Sequence, residues 1–173
     1  MDPQANCTSG LGVKVGSYKE SVYDVIIGKK DIDECILNSK LDFLDILPAS
    51  AQLVGAEIEL VGMLTRERML KDQLLEESIQ SKYKYIIIDS PPSLGLLTIN
   101  VLTAAQTIII PIQCEYYALE GLSQLLNTIR LVQKKLNKKL SIEGILATMF
   151  DSRLNLSKEV VKELKEYFGN KVY

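Results

Sequence analysis

The sequence contains no histidine. That absence excludes a Ser-His-Asp triad, a Cys-His dyad, a histidine general base and a histidine metal ligand. Cysteine is sparse. Cys7, Cys35 and Cys114 are odd in number and far apart. They form neither a disulfide framework nor CxxC metal spacing, so a reducing cytoplasm is the expected compartment. No histidine or CxxC activates them, so they read as small buried or loop residues rather than nucleophiles. Apolar runs are short, about five residues at most, as around Tyr85-Ile86-Ile87-Ile88. A membrane-spanning helix takes roughly 20, so no membrane role is expected. The opening Met1-Asp2-Pro3-Gln4-Ala5-Asn6 has no basic stretch followed by an apolar one and reads as no signal peptide.

What is present fits a globular domain. The 173 residues are 47% hydrophobic and 24% charged, enough for one real core. Twenty basic and 22 acidic side chains give a net charge of −2, so global basicity does not argue for nucleic acid. The charge is uneven, however. Residues 1–129 hold 10 basic and 17 acidic side chains, and residues 130–173 hold 10 basic and 5 acidic. The last quarter is a basic region on an acidic body. No repeat, low-complexity segment or Pro/Gly/Ser-rich linker divides the chain, so residues 1–173 read as one domain.

The first 20 residues read as loop. Residues 21–27 predict a short helix stopped by Gly28, and residues 41–47 a strand ended by Pro48. Residues 50–60 and 66–81 predict helices, the second with Leu70, Leu74, Leu75 and Ile79 on one face. Tyr85–Ile88 reads as a strand buried on both faces. A helix over 96–105, a strand over 107–110 closed by Pro111, a helix over 119–136 and a strand over 140–149 follow. A final helix over 156–168 is capped by Asn155 or Ser157. This alternation predicts an α/β fold with a parallel sheet flanked by helices. Ligands of such sheets bind beyond the carboxyl ends of the strands.

Asp89 stands there, directly after Tyr-Ile-Ile-Ile and before Ser90-Pro91-Pro92. A carboxylate at that point suits a Walker B acid near Mg²⁺, with a helix cap or turn aspartate as the plain alternative. Four blocks then fall in order. Met1-Asp2-Pro3-Gln4-Ala5-Asn6-Cys7-Thr8-Ser9-Gly10-Leu11-Gly12 resembles the segment after the second strand of ParA/Soj-type partition ATPases. Asp89-Ser90-Pro91-Pro92-Ser93-Leu94-Gly95 resembles their Walker B segment. Residues 111–122 (Pro-Ile-Gln-Cys-Glu-Tyr-Tyr-Ala-Leu-Glu-Gly-Leu) and 148–157 (Thr-Met-Phe-Asp-Ser-Arg-Leu-Asn-Leu-Ser) resemble the stretches after the next two strands. MinD-like and ArsA-like relatives match less well.

The resemblance implies a P-loop NTPase-like three-layer α/β/α fold and roles for the matched positions. Asp2 falls where the family orients or activates the attacking water, and Asp89 where it has its Walker B acid, meeting Mg²⁺ through water. Asp2, Pro3, Ser90 and Pro91 fall in nucleotide-contacting segments, with Ser90–Gly95 as a loop sensing the γ-phosphate. Met149 and Asp151 fall near the adenine. The family hydrolyses ATP to ADP with Mg²⁺, forms an ATP-dependent homodimer, binds DNA without sequence specificity and meets a ParB-like centromere-binding protein. Its members are cytoplasmic and nucleoid-associated.

The family's phosphate cradle, KGGxGK[ST], supplies backbone N–H groups, a lysine and a Mg²⁺-binding hydroxyl. Here the single Gly-Lys step, Gly28-Lys29, is followed by Lys30. The register implies that the P-loop strand and first helix belong before the Asp-Pro-Gln block, and further nucleotide and partner contacts after Tyr173. The expectation is a partial ParA-like domain, cut at both ends, that does not hydrolyse ATP alone. The rival reading is a non-catalytic ParA-like remnant that binds DNA or an intact relative. Glu115, Tyr116 and Tyr117 either shape a nucleotide or dimer surface or are ordinary strand-end residues. Lys134, Lys135, Lys138 and Lys139 either form a solvated helix end or join Lys158, Lys162 and Lys165 in a DNA-phosphate surface, the solvated face being favoured.

Overall fold

The computed structural model describes residues 1–115 and 118–173. They divide into two compact units, Met1–Ala104 and Ala105–Tyr173.

The first unit is helical around a short ribbon. Helix α1 (Asn6–Gly10) forms where the sequence reads as loop. Its Thr8 is buried and accepts the Ala49 N–H at 3.0 Å, so a contact remote in sequence fixes it. Helix α2 (Val22–Ile26) forms as expected. The Ser21 hydroxyl accepts the Tyr23 N–H, and the Asp24 carboxylate accepts the Ser21 N–H, a reciprocal cap that satisfies otherwise orphaned donors. Gly28, at φ +72°, ends the turn after it. A short helix α3 (Ile32–Cys35) follows.

The strand expected over 41–47 contracts. Only β2 (Asp45–Ile46) is strand, antiparallel to β1 (Leu37–Asn38). The Leu44 N–H bonds to the Leu41 carbonyl, so the preceding residues turn instead of extending.

Helix α4 (Leu53–Val61) buries Leu53, Ala56 and Leu60. The helix expected over 66–81 breaks into α5 (Met69–Leu74) and α6 (Glu77–Lys82). The Gln80 amide donates to the Leu74 carbonyl at 2.6 Å and closes the end of α5. Leu75, expected inside, is exposed at this break.

Tyr85–Ile88 is not a strand. Among the described residues, only β1 with β2 and β3 with β4 form sheets. Tyr85 is 77% and Ile87 94% exposed. A strand exists only where a neighbour takes its N–H and C=O groups, and none does here among the described residues.

Helix α7 (Leu96–Ala104) completes the unit. Leu97 and Val101 join Met1, Val22, Ile26, Leu53, Ala56, Leu60 and Leu70 in its main core. Each large side chain so buried contributes about 1.5–3 kcal/mol. Asn100 is fully buried. Its Oδ1 accepts the Leu70 N–H at 3.2 Å, and its Nδ2 donates to the Arg66 and Leu96 carbonyls at 2.8 and 3.0 Å.

The second unit is a parallel pair flanked by helices. Strand β3 (Thr107–Gln113) pairs with β4 (Ser141–Thr148). Helix α8 (Ala118–Lys135) lies against β3, and α9 (Asn155–Phe168) against β4. Pro111 does not close β3, which runs through it. The Cys114 N–H bonds to the Thr148 carbonyl of β4. Alternation therefore turns the N–H groups of residues 110 and 112 toward β4 and the Pro111 nitrogen away, where its missing N–H costs this pairing nothing. Helix α9 is entered through Leu154 with no side-chain cap, so neither Asn155 nor Ser157 serves. The buried Ser157 hydroxyl instead points to the Cys114 carbonyl at 3.4 Å. The Tyr173 N–H bonds to the Ile145 carbonyl, and its carbonyl accepts the Ala147 N–H, so the residues around Val172 form a parallel bridge beside β4.

Two substitutions test this packing. A Cβ on Gly144 would overlap the Tyr173 ring and stand 2.7 Å from the Lys171 carbonyl. Gly144→Ala is expected to cost about 1–3 kcal/mol and to speed amide exchange at Ala147, read by thermal melts and hydrogen exchange. Asn100→Ala leaves the Leu70 N–H and the Arg66 carbonyl without this partner and is expected to cost about 2–3 kcal/mol by denaturant melts.

Candidate functional site

The sequence-predicted carboxylates lie in the first unit. Asp2 opens a tight turn: its Oδ1 accepts the Gln4 N–H at 2.9 Å, and its carbonyl accepts the Ala5 N–H at 3.0 Å. Ala5 then takes φ 54°, a left-handed conformation rare for a residue with a Cβ. Such strain persists only where the surroundings over-determine it. Ala5 is itself buried and belongs to the core, which holds the turn carrying Asp2 and Pro3.

Asp89 and Ser90 are exposed, and Pro91 is buried. The loop they begin is fastened from α7. The Thr98 hydroxyl donates to the Ser93 carbonyl at 2.5 Å and lies 3.4 Å from that of Pro91. Sequence reasoning missed Thr98. Its only signal was a threonine early in a helix that follows the loop.

The Met1 amino group is buried, and burial lowers its pKa, while the charges of Asp89 and Asp2, in that order, raise it. Asp89, distant in sequence, thus lies near the Met1 end of the segment that carries Asp2. Asp89 takes no hydrogen bond from the described residues, leaving its oxygens free for a hard cation.

The donor chemistry at this point suits Mg²⁺, which accepts one or two carboxylates and completes its shell with water and phosphate oxygens. Among the described residues no group of three or more acidic or thiol side chains forms an all-protein cage. The fit to a triphosphate is incomplete. The 173 residues hold no Gly-Lys-[Ser/Thr] step to supply the N–H and ammonium donors.

Met149 and Asp151 lie in the second unit, just after β4. Met149 is 76% exposed and takes φ 53°. The Asp151 carboxylate grips Arg153 at 2.7–3.2 Å, and this pairing holds its pKa below the usual carboxylate range. The same pairing raises that of Arg153. Asp151 is thus already engaged within its own loop. Glu115 lines a hollow of about 360 Å³ at the carboxyl end of β3, with Gln113, Gly121 and Leu122. Tyr116 and Tyr117 lie outside the described residues.

Lys158, Lys162 and Lys165 are exposed on α9 at four- and three-residue spacing, which sets them on one face. With Phe150, Val161 and Glu166 they line a shallow groove. Lys134 and Lys135 occupy the last turn of α8, where cations favour the helix dipole. Cys35 and Cys114 are buried, and burial pushes the Cys35 thiol up to about 11, the opposite of an activated nucleophile.

Known proteins agree with this architecture. A family model described as an AAA domain matches residues 1–142. The sporulation initiation inhibitor protein Soj of Bacillus subtilis is 56% identical over the whole chain, which spans 68% of that protein. The chromosome partitioning protein ParA of Myxococcus xanthus is 50% identical over the whole chain, which spans 60% of it. Among solved structures, cobyrinic acid a,c-diamide synthase from Mycobacterium smegmatis, with a bound ATP analogue and magnesium, superposes with a TM-score of 0.89 at 36% identity. That match covers 97% of this chain and 68% of the other. With its α/β architecture and identities of this size, the chain belongs to the ParA/Soj family of partition proteins.

Proposed function

We propose that these residues form the Walker B half of a Mg²⁺-dependent ATPase that acts as a nucleotide switch in chromosome or plasmid partition. The nearness of Asp89 to the segment that carries Asp2, with a loop fastened to α7 beside it, carries this reading. Bound Mg²⁺–ATP would supply the phosphoryl group and neutralise its charge. Asp89 would hold the metal through water, and Asp2 would orient a water through its free carboxylate oxygen. Pro3, Ser90 and Pro91 would shape the adjoining surface. For Met149 and Asp151 the family likeness alone supports a role toward the adenine base.

The exposed lysines of α9 support a second activity, contact with DNA phosphates. An ATP-dependent homodimer, a ParB-like stimulating partner and association with the nucleoid complete the proposal, all drawn from the family. Among the described residues, no helix is long and apolar enough to cross a membrane.

The phosphate donors decide what these 173 residues do by themselves. Transferred phosphoryl charge is stabilised chiefly by lysine, backbone N–H groups and metal together. The purified 173-residue chain is expected to bind ATP weakly and to release no phosphate in steady state. Steady release that Asp89→Ala abolishes would overturn this expectation.

The lysine face has its own test. Binding of duplex DNA weakens with salt, and each lysine–phosphate pair adds about 0.9 to the logarithmic slope. Replacing Lys158, Lys162 and Lys165 by alanine is expected to weaken binding and reduce the slope by about 2–3, measured by fluorescence anisotropy. An unchanged slope would assign these lysines to solvent alone.

A further inference from the structure

We propose that Glu57 is the positioning residue of the Asp89–Gly95 loop, its carboxylate seated on Gly95 where the loop enters α7. Glu57 is half-buried on α4, next to the buried Ala56. Its Oε1 is shut off from solvent and has no hydrogen-bond partner among the described residues. A buried carboxylate oxygen is costly to leave unpaired, so its location calls for a compensating environment.

Gly95 shows where that carboxylate sits. A Cβ placed on Gly95 would overlap Oε1 and lie 2.9 Å from Cδ and 3.2 Å from Oε2 of Glu57. Gly95 does not have a positive φ. Its backbone would therefore accept any residue, and the glycine is needed for space. That space is filled by a side chain from another helix.

The contact falls at the start of a helix. Gly95 immediately precedes α7, whose first-turn N–H groups have no acceptor within the helix. The N-terminal end of a helix favours negative charge. Glu57 meets it without closing a hydrogen bond, so the contact holds by shape.

The loop is consequently fastened at two points. The Thr98 hydroxyl holds its middle at Ser93, and Glu57 bears on its end at Gly95. Thr98 belongs to α7, the helix that the loop itself enters. Glu57 belongs to α4 and bears on the loop from a second helix. Its removal frees the end of the segment that begins with Asp89. The consequence for metal binding rests on the proposal that Asp89 holds the metal, whereas the consequence for loop order does not.

The test uses the 173-residue chain with Glu57→Ala, Glu57→Gln, Gly95→Ala and the double variant Glu57→Ala/Gly95→Ala. Hydrogen exchange over residues 89–98 is expected to rise about tenfold in Glu57→Ala and in Gly95→Ala, with α2 and the second unit unchanged. The double variant is expected to match Glu57→Ala alone, because the new Cβ then has room. Additive effects, or wild-type exchange in Glu57→Ala, would overturn the proposal. Glu57→Gln keeps the shape of the side chain and guards against loss of the fold. At an unchanged melting temperature, it is expected to weaken Mn²⁺ binding, read by electron paramagnetic resonance, about tenfold. Unchanged Mn²⁺ affinity in Glu57→Gln, where Asp89→Asn abolishes binding, would refute positioning. If Asp89→Asn itself leaves Mn²⁺ binding unchanged, the metal-binding role of Asp89 fails and the exchange results still decide the proposal.

Discussion

The buried amide of Asn100 is the constraint on which the first unit depends. It sits on a helix that also buries Leu97, Val101 and Leu102, and it has three backbone partners. One of them, the Leu70 N–H, is an orphan donor in the first turn of α5. Another, the Arg66 carbonyl, lies in the segment leading into that helix. A single side chain therefore sets how α5 meets α7. A buried polar group with all its bonds made specifies one arrangement, because any slip leaves several groups unpaired at once. Thr98, two residues earlier on the same helix, extends this control to the loop that begins at Asp89.

The surface charges contribute differently. Lys30–Glu34, Arg68–Asp72 and Arg153–Asp151 are ion pairs between side chains close in sequence and open to solvent. Pairs of this kind are screened and add little to stability. Arg153–Asp151 matters for orientation instead. It gives a short loop a defined shape beside Met149, whose backbone conformation already departs from the usual range.

The sequence was most informative where the signal was local. Gly28 marked the end of α2, and the helices expected over 119–136 and 156–168 correspond to α8 and α9. The run Thr107–Ile110 announced β3, although its end did not follow from Pro111, because a proline's tolerance depends on which side its nitrogen faces. Tyr85–Ile88 shows the converse. Its composition is that of a buried strand, yet strand formation requires a partner that composition cannot supply. The break at Leu75 was equally hidden, since it is stabilised by the Gln80 amide and not by a glycine or proline. At the site, Asp2 and Asp89 could be picked out by their motifs. Glu57, Thr98 and Asn100 could not, because each acts through a tertiary contact and stands in no recognisable spacing.

Pro111 gives the second unit a directional property. On one side of the sheet, β4 already engages Tyr173 through both of that residue's backbone groups. On the other side, β3 presents alternate residues, and at Pro111 the series of donors has a gap. A strand laid along that side would find a carbonyl there with no N–H beside it. The incoming chain would have to face that gap with a group needing no donor, or shift its register to avoid it. One imino acid thus acts as a register mark, discriminating among strands by alignment rather than by side-chain fit.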